Sequence, residues 1–407
     1  GLVGSEMCIR DRLKDLSFKG FFTNGSEMLP RTSCLNISDF EARLGSAGFS
    51  GSLDLSDFNS LHSTLNLKGQ LYPAEIREFF NLSGISTATG IIDFDMQMAG
   101  AVPRKDKYSA FDFFGLNPEA DLSFKSFGIG IKDDRILFSD VDGNFLVSNN
   151  AVADNMKFTW KDQQFEVNGK IKGFNDWMAG KPVIMAITAD ASCNRLNAGS
   201  FFIKPPGTDT VSIRNNKAFS LPDHLIMDLN FEIGNLLYKD FSADKIKGSA
   251  SYSPGIITFD TLTCNSLNGR ISGSGFIGQN TDKSFIVKSR FDLDRINVKN
   301  TFSTFNNFGQ NFIKAENLNG ILSGSLSLLL PTDSLLKPEK KSITAEGKYT
   351  LSNGALVDFE PIKALSAFIS LSELSNISFE ELKNDFFIRN NNVYIPCLLY
   401  TSDAADE

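Results

Sequence analysis

The chain has 407 residues, 42% hydrophobic and 22% charged, enough apolar material to bury a core and too much for a disordered segment. Lysine and arginine number 40 against 48 acidic residues, a net charge of -8, so no cationic field invites nucleic acid. The aromatic class is 37 Phe against 7 Tyr and 2 Trp, mostly rings without a polar handle, and two histidines, His62 and His224, leave almost no material for zinc or general acid-base chemistry.

The two ends, 1–12 and 397–407, resemble translated sequencing-adaptor read-through and are set apart as scars, which makes 13–396 an internal piece of a longer gene. Between them the expected organisation is a β-segment over 13–204, a linker-like break at 205–219 following Lys204-Pro205-Pro206, and a second region over 220–396. Cys34, Cys193 and Cys264 are the cysteines left outside the scars. With no CxxC and no Cys/His pair at ligand spacing they read as small buried residues, and they do not fix the redox compartment. No apolar run reaches about 18 residues, the length of a membrane-spanning helix.

In chain order, Pro73, Ala74, Ile76, Phe79 and Phe80 suit a short helix with proline in its first turn. Period two then dominates. Ile92, Phe94, Met96 and Met98 alternate with Ile91, Asp93, Asp95 and Gln97, which describes a half-buried strand. The same pattern fits Leu122 with Phe124, then Phe127, Ile129 and Ile131, then Met156, Phe158 and Trp160, then Phe165 with Val167. Met227, Leu229, Phe231 and Ile233 alternate with Asp228, Asn230 and Glu232, and Phe285, Val287, Phe291 and Leu293 close the series. Asp142-Gly143, Asn168-Gly169, Asn268-Gly269 and Asn353-Gly354 are the expected hairpin turns. Val298, Phe302, Phe305, Phe308 and Phe312 fall at helical spacing over 298–313, and Ile362, Leu365 and Leu371 suggest a third helix over 361–373.

Roughly twenty strands and three short helices do not match, because so few helices cannot cover the apolar side of so many strands. The strands must pack on one another, close on themselves, or leave an apolar concavity. Motif searches add no chemistry. Gly273 to Gly278 matches GxGxxG but lies between strands, where no helix N-terminus meets a pyrophosphate. Asp140, Asp142, Gly143 and Asn144 fail the calcium-loop spacing, with Ala151 where a bidentate Glu belongs. Asp133-Asp134 and Asp292 with Asp294 read as solvated strand or loop charges rather than a glycosidase pair. No catalytic residue, metal ligand or cofactor site is nominated.

Near the end of the chain Gly347-Lys-Tyr-Thr-Leu-Ser-Asn-Gly354, Pro361 to Leu365, Ile377-Ser-Phe379-Glu-Glu-Leu382 and Phe386-Phe-Ile388 to Pro396 follow one another. This order resembles the C-terminal region of the AsmA-like family, and Ile296 to Phe312 before the Gly320 to Leu328 strand resembles it too. The similarity covers about 220–396 and is weaker over 13–219. Membership implies a mainly β fold, an extended curved antiparallel sheet forming an open apolar groove, in a periplasmic protein anchored to the bacterial inner membrane by an upstream segment. It implies no enzyme and no cofactor. The implied role is phospholipid transport between inner and outer membrane and outer-membrane biogenesis, with phospholipid or other envelope lipid and inner- and outer-membrane proteins as partners and no nucleic acid. The groove lining is then Ile92, Phe94, Met96, Met98, Leu122, Phe124, Phe158, Trp160, Phe165, Val167, Met227, Leu229, Phe231, Ile233, Phe285, Val287, Phe291 and Leu293. Two other readings stay open: a structural or adhesive β-protein with a dry core, and a carbohydrate-active β-protein, for which Trp160 and Trp177 are thin material.

Overall fold

The computed structural model describes residues 13–79, 81–105, 110–131, 136–201, 220–309, 311–360, 375–390 and 392–396. The two scars, the 205–219 break, Asp133-Asp134 and the helix expected over 361–373 lie outside them. The fold is mainly β, as the alternation requires. The strands are β1 (Leu13–Thr23), β2 (Cys34–Leu44), β3 (Ala47–Ser56), β4 (His62–Leu71), β5 (Ile85–Ala101), β6 (Glu119–Ile131), β7 (Ile136–Val147), β8 (Asn150–Trp160), β9 (Gln163–Lys172) and β10 (Met185–Asn197). They continue as β11 (Leu225–Tyr238), β12 (Phe241–Ser253), β13 (Ile256–Ser266), β14 (Gly269–Gln279), β15 (Phe285–Asn297), β16 (Leu318–Thr332), β17 (Thr344–Val357), β18 (Asn376–Arg389) and β19 (Asn392–Tyr394). All nineteen belong to one largely antiparallel open sheet. The described α-helices are α1 (Pro73–Phe79), α2 (Phe174–Met178) and α3 (Val298–Thr304). None of the described helices is long and apolar enough to cross a membrane.

The chain forms two compact units, Gly1–Ser192 with His224–Met227, and Cys193–Asp223 with Asp228–Glu407. In the first, β1 to β9 pair in chain order, each strand antiparallel to the next. In the second, β12 to β19 do the same. Such a meander needs only tight turns. Lys161-Asp162 supplies one with φ of 50° and 61°, the left-handed pair that matches strand twist.

The Asn-Gly and Asp-Gly dipeptides do something else. Asn168-Gly169, Asp142-Gly143 and Asn353-Gly354 sit inside β9, β7 and β17, while Asn268 turns with Leu267 and Gly269 already opens β14. Inside strands their capacity for positive φ serves bulges: Asn353 has φ 49° beside the register shift between Asn319 and Ile321, and Gly143 has φ 130° beside another. Asn168 acts through its side chain instead. Its Oδ1 accepts the N–H of bulged Asn155, φ 49°, at 2.7 Å. Asp142 Oδ1 likewise accepts from Ser126 N–H at 2.9 Å and Ser323 Oγ from Arg295 N–H at 3.0 Å. Each of these satisfies a donor that the bulge has taken out of the ladder.

The helix expected over 298–313 is cut short. Asn297 Oδ1 caps its start by accepting Asn300 N–H at 2.8 Å, but Asn306, Asn307 and Phe308 take φ of 49°, 50° and 55°, which no α-helix accommodates. The phenylalanines therefore cluster instead of forming a stripe: Phe302 and Phe308 meet edge to face at 5.1 Å, and Phe305 stacks on Phe241 at 6.0 Å.

Among the described residues no second sheet packs on either unit. Strands touch their sheet neighbours, and the short helices sit locally, α1 and the 3-10 turn Ala110–Leu116 on β5, α2 on β8, α3 on β15 and β16. A single layer buries little. Phe285 and Ile296 are the large side chains fully buried among the described residues, and the rest of the buried apolar set is rich in alanine.

Candidate functional site

Residues paired across an antiparallel ladder share a face, so the register reads out each face directly. In the first unit one transverse row runs Ala42, Phe49, Gly69, Phe94, Leu122, Phe145, Ala153, Gly169 across β2 to β9. A second, on the same face, runs Phe18, Phe40, Gly51, Leu67, Met96, Ala120, Val147. In the second unit Gly248, Leu262, Gly273, Phe291, Leu326, Gly347 and Phe386 line up across β12 to β18. The tip of the Phe231 ring reaches over Gly248, where an added Cβ would stand 2.5 Å from ring Cζ. These rows are apolar throughout.

Each residue expected on this face has a definite place. Ile92, Phe94, Met96 and Met98 pair with Leu71, Gly69, Leu67 and Leu65, and the first three meet Phe124, Leu122 and Ala120 on the other side. Phe158 pairs with Phe165, their rings stacked at 5.5 Å, and Val167 pairs with Met156. Trp160 stacks on Phe138 at 5.9 Å. Along β11 exposure alternates from Leu225 to Gly234, with Met227, Leu229, Phe231 and Ile233 half-buried and Asp228, Asn230 and Glu232 exposed. Phe231 and Ile233 pack on the buried trio Ala243, Ile246 and Cys264. Val287, Phe291 and Leu293 pair with Leu330, Leu326 and Gly324.

Two expected lining residues are instead core. Phe285 is 1% exposed and Met98 7%. Phe285 pairs with Gln279, whose Oε1 accepts the N–H of Leu221, so the returning segment closes over that strand end. Met98 lies on β5, where Leu116 comes within 3.3 Å of a Cβ built on Gly100. Both side chains are covered by the protein's own chain.

Leu65, Leu67, Phe145, Leu262 and Leu326 join the face without having been singled out. Leu65 and Leu67 alternate plainly in His62-Ser-Thr-Leu-Asn-Leu. Phe145 and Leu326 were hidden by the inward glycines Gly143 and Gly324, and Leu262 by the bulge between Phe259 and Leu262, each of which interrupts the visible alternation.

The opposite face is polar. Lys247, Thr263, Ser272, Asp292, Ser325, Lys348 and Asp385 make one continuous row. Lys125 pairs with Asp93 at 2.6 Å, Gln70 donates to the same carboxylate at 2.7 Å, and Lys247 pairs with Glu232 at 2.7 Å. Lys125, through its hydrogen bond, is the main reason the Asp93 pKa is held below its ordinary value, with Gln70 second. Burial pushes the Cys193 and Cys264 thiols up, as inert packed residues require. Burial also raises Tyr349, whose row on the apolar face is Gly324, Tyr349, Asn384. Among the described residues no group of His, Cys, Asp or Glu could hold a metal ion. The matched chemistry is therefore that of a surface: apolar on one side, wet on the other. Compared with protein-family models, curated proteins and solved structures, the chain matches none.

Proposed function

We propose that the chain is a lipid-carrying segment of a non-enzymatic AsmA-like protein of the bacterial envelope, periplasmic and anchored to the inner membrane by an upstream segment, that moves phospholipid toward the outer membrane and so serves its biogenesis. The observation that carries this reading is the apolar face: row after row of Phe, Leu, Met and Gly with no second layer over it among the described residues. A soluble protein leaves such a surface open when something else covers it. Acyl chains fit the requirement, since each CH₂ laid on the face gains about 0.8 kcal/mol. Because successive rows are chemically alike, that gain changes little as a chain shifts along a unit, which allows sliding without a steep barrier while the head group stays in water. No nucleophile or metal is needed.

Photo-crosslinkable phospholipid tests this. An inward carboxylate costs several kcal/mol beside acyl chains or draws water into the path, so Met96→Asp in the first unit and Phe231→Asp in the second should each label much less than the parent. Asn230→Asp, which adds the same charge to the wet face, should label like the parent. Circular dichroism checks that all four are folded. Equal labelling of four folded proteins, or none in the parent, contradicts the reading.

A further inference from the structure

The wet face of the second unit departs from its own pattern at one place. On β14 and β16 the outward positions Phe276 and Leu329 are apolar, and on β18 outward Phe387 is 41% exposed. The register sets Phe276, Lys288, Leu329 and Thr344 in one row, and Ser274, Arg290, Ser327, Glu346 and Phe387 in the next. With Arg389 these side chains line an open cavity of about 650 Å³ on the sheet surface.

Its charge is lopsided. Among the lining side chains Lys288, Arg290 and Arg389 meet one carboxylate, Glu346, with Asp292 in the next row beyond Arg290, and among the described residues none of the three cations has an ion-pair or hydrogen-bond partner. On the same face Lys247 pairs with Glu232, whereas Lys348 stands opposite Asp385 in the ladder without an ion pair among the described residues. Hydroxyls stand on both sides of Arg290, because Ser274 and Ser327 are its cross-strand partners. Guanidinium, ammonium and hydroxyl groups at adjoining ladder positions offer donors for a phosphate or carboxylate. Directly beside them Phe276 and Leu329, the two partners of Lys288, offer an apolar floor that a free inorganic anion has no use for.

We propose that this cavity binds one anionic amphiphile, its phosphate or carboxylate head held by Lys288, Arg290 and Arg389 and its alkyl tail laid over Phe276 and Leu329. The site is on the face opposite the lipid path and does not rest on that path.

Isothermal titration of the purified chain with dodecyl phosphate, dodecanoate, dodecyl maltoside and inorganic phosphate tests it, each amphiphile kept below its micelle concentration. Both anionic amphiphiles should bind. The double variant Lys288→Ala/Arg290→Ala should weaken them about tenfold or more, since charge-assisted hydrogen bonds are lost. Phe276→Ser should weaken them while sparing the charge. All of these titrations are run in the Phe231→Asp background, in which alkyl binding on the opposite, apolar face is weakened, so that this site is read apart from the lipid path and the two claims fail separately. Unaltered affinity in the folded double variant overturns the site. Equal affinity for dodecyl maltoside overturns the head-group contacts, and equal affinity for inorganic phosphate overturns the amphiphile and leaves a plain anion patch.

Discussion

Phe291 on β15 lies across its partner Gly273 on β14 so closely that a Cβ on the glycine would stand 2.6 Å from ring Cδ1. Gly347 and Phe386 repeat the arrangement on β17 and β18, also at 2.6 Å. A ring that folds over a glycine covers the neighbouring backbone, so the row stays apolar and continuous although every second or third member has no side chain.

Gly273→Ala should therefore be costly. The new methyl meets both the Phe291 ring and the Arg290 carbonyl at 2.6 Å, and overpacking of this kind costs about 1–3 kcal/mol. Urea denaturation should show a lower midpoint with little change in slope. A midpoint equal to the parent's would mean that the ring is free to leave the glycine.

Thiol reactivity should follow burial. Cys34 is half-buried while Cys193 and Cys264 are buried with raised pKa, and the thiolate is the reacting form. Brief alkylation at pH 8 followed by peptide mapping should find Cys34 modified well before the other two. Early modification of Cys264 would show that the cluster with Ala243 and Ile246 opens readily.

Acid sensitivity should be traceable to Asp93. Hydrogen bonds from Lys125 and Gln70 hold its folded pKa below the ordinary 3.8. A carboxylate depressed in the folded state adds stability above its unfolded pKa and loses it as pH falls through the folded one. The stability gap between the parent and Asp93→Asn should then be constant above about pH 5 and shrink below about pH 4. Melts from pH 3 to 7 that show a gap independent of pH would contradict the pairing. The partners are largely exposed, so the gap should be small.

Strands such as β5 and β11 are legible in the sequence because their outward positions carry Asp, Asn, Gln or Glu, which leaves the apolar phase in plain view. β14 is not. It reads Gly-Arg-Ile-Ser-Gly-Ser-Gly-Phe, with glycine at inward positions 273 and 275 and phenylalanine at outward position 276, so hydropathy points to the wrong face. Bulges add a second difficulty. On β8 the inward set is Ala151 and Ala153 up to the bulge and then Met156 and Phe158, because Asp154 and Asn155 together fill one slot of the ladder. Only pairing reveals that step. Phe285 and Met98 obeyed the alternation yet are covered, since what closes over a strand end comes from distant segments such as Leu221 that local periodicity does not see.

Native mass spectrometry tests the central claim most directly. The purified chain is incubated with phospholipid vesicles, re-isolated, checked for fold by circular dichroism, and sprayed from non-denaturing buffer alongside Met96→Asp and Phe231→Asp. The account predicts mass increments of whole phospholipids on the parent, confirmed by solvent extraction, and fewer on either inward carboxylate variant. A folded parent that carries no lipid, or variants that carry as much as the parent, would contradict an acyl-binding face.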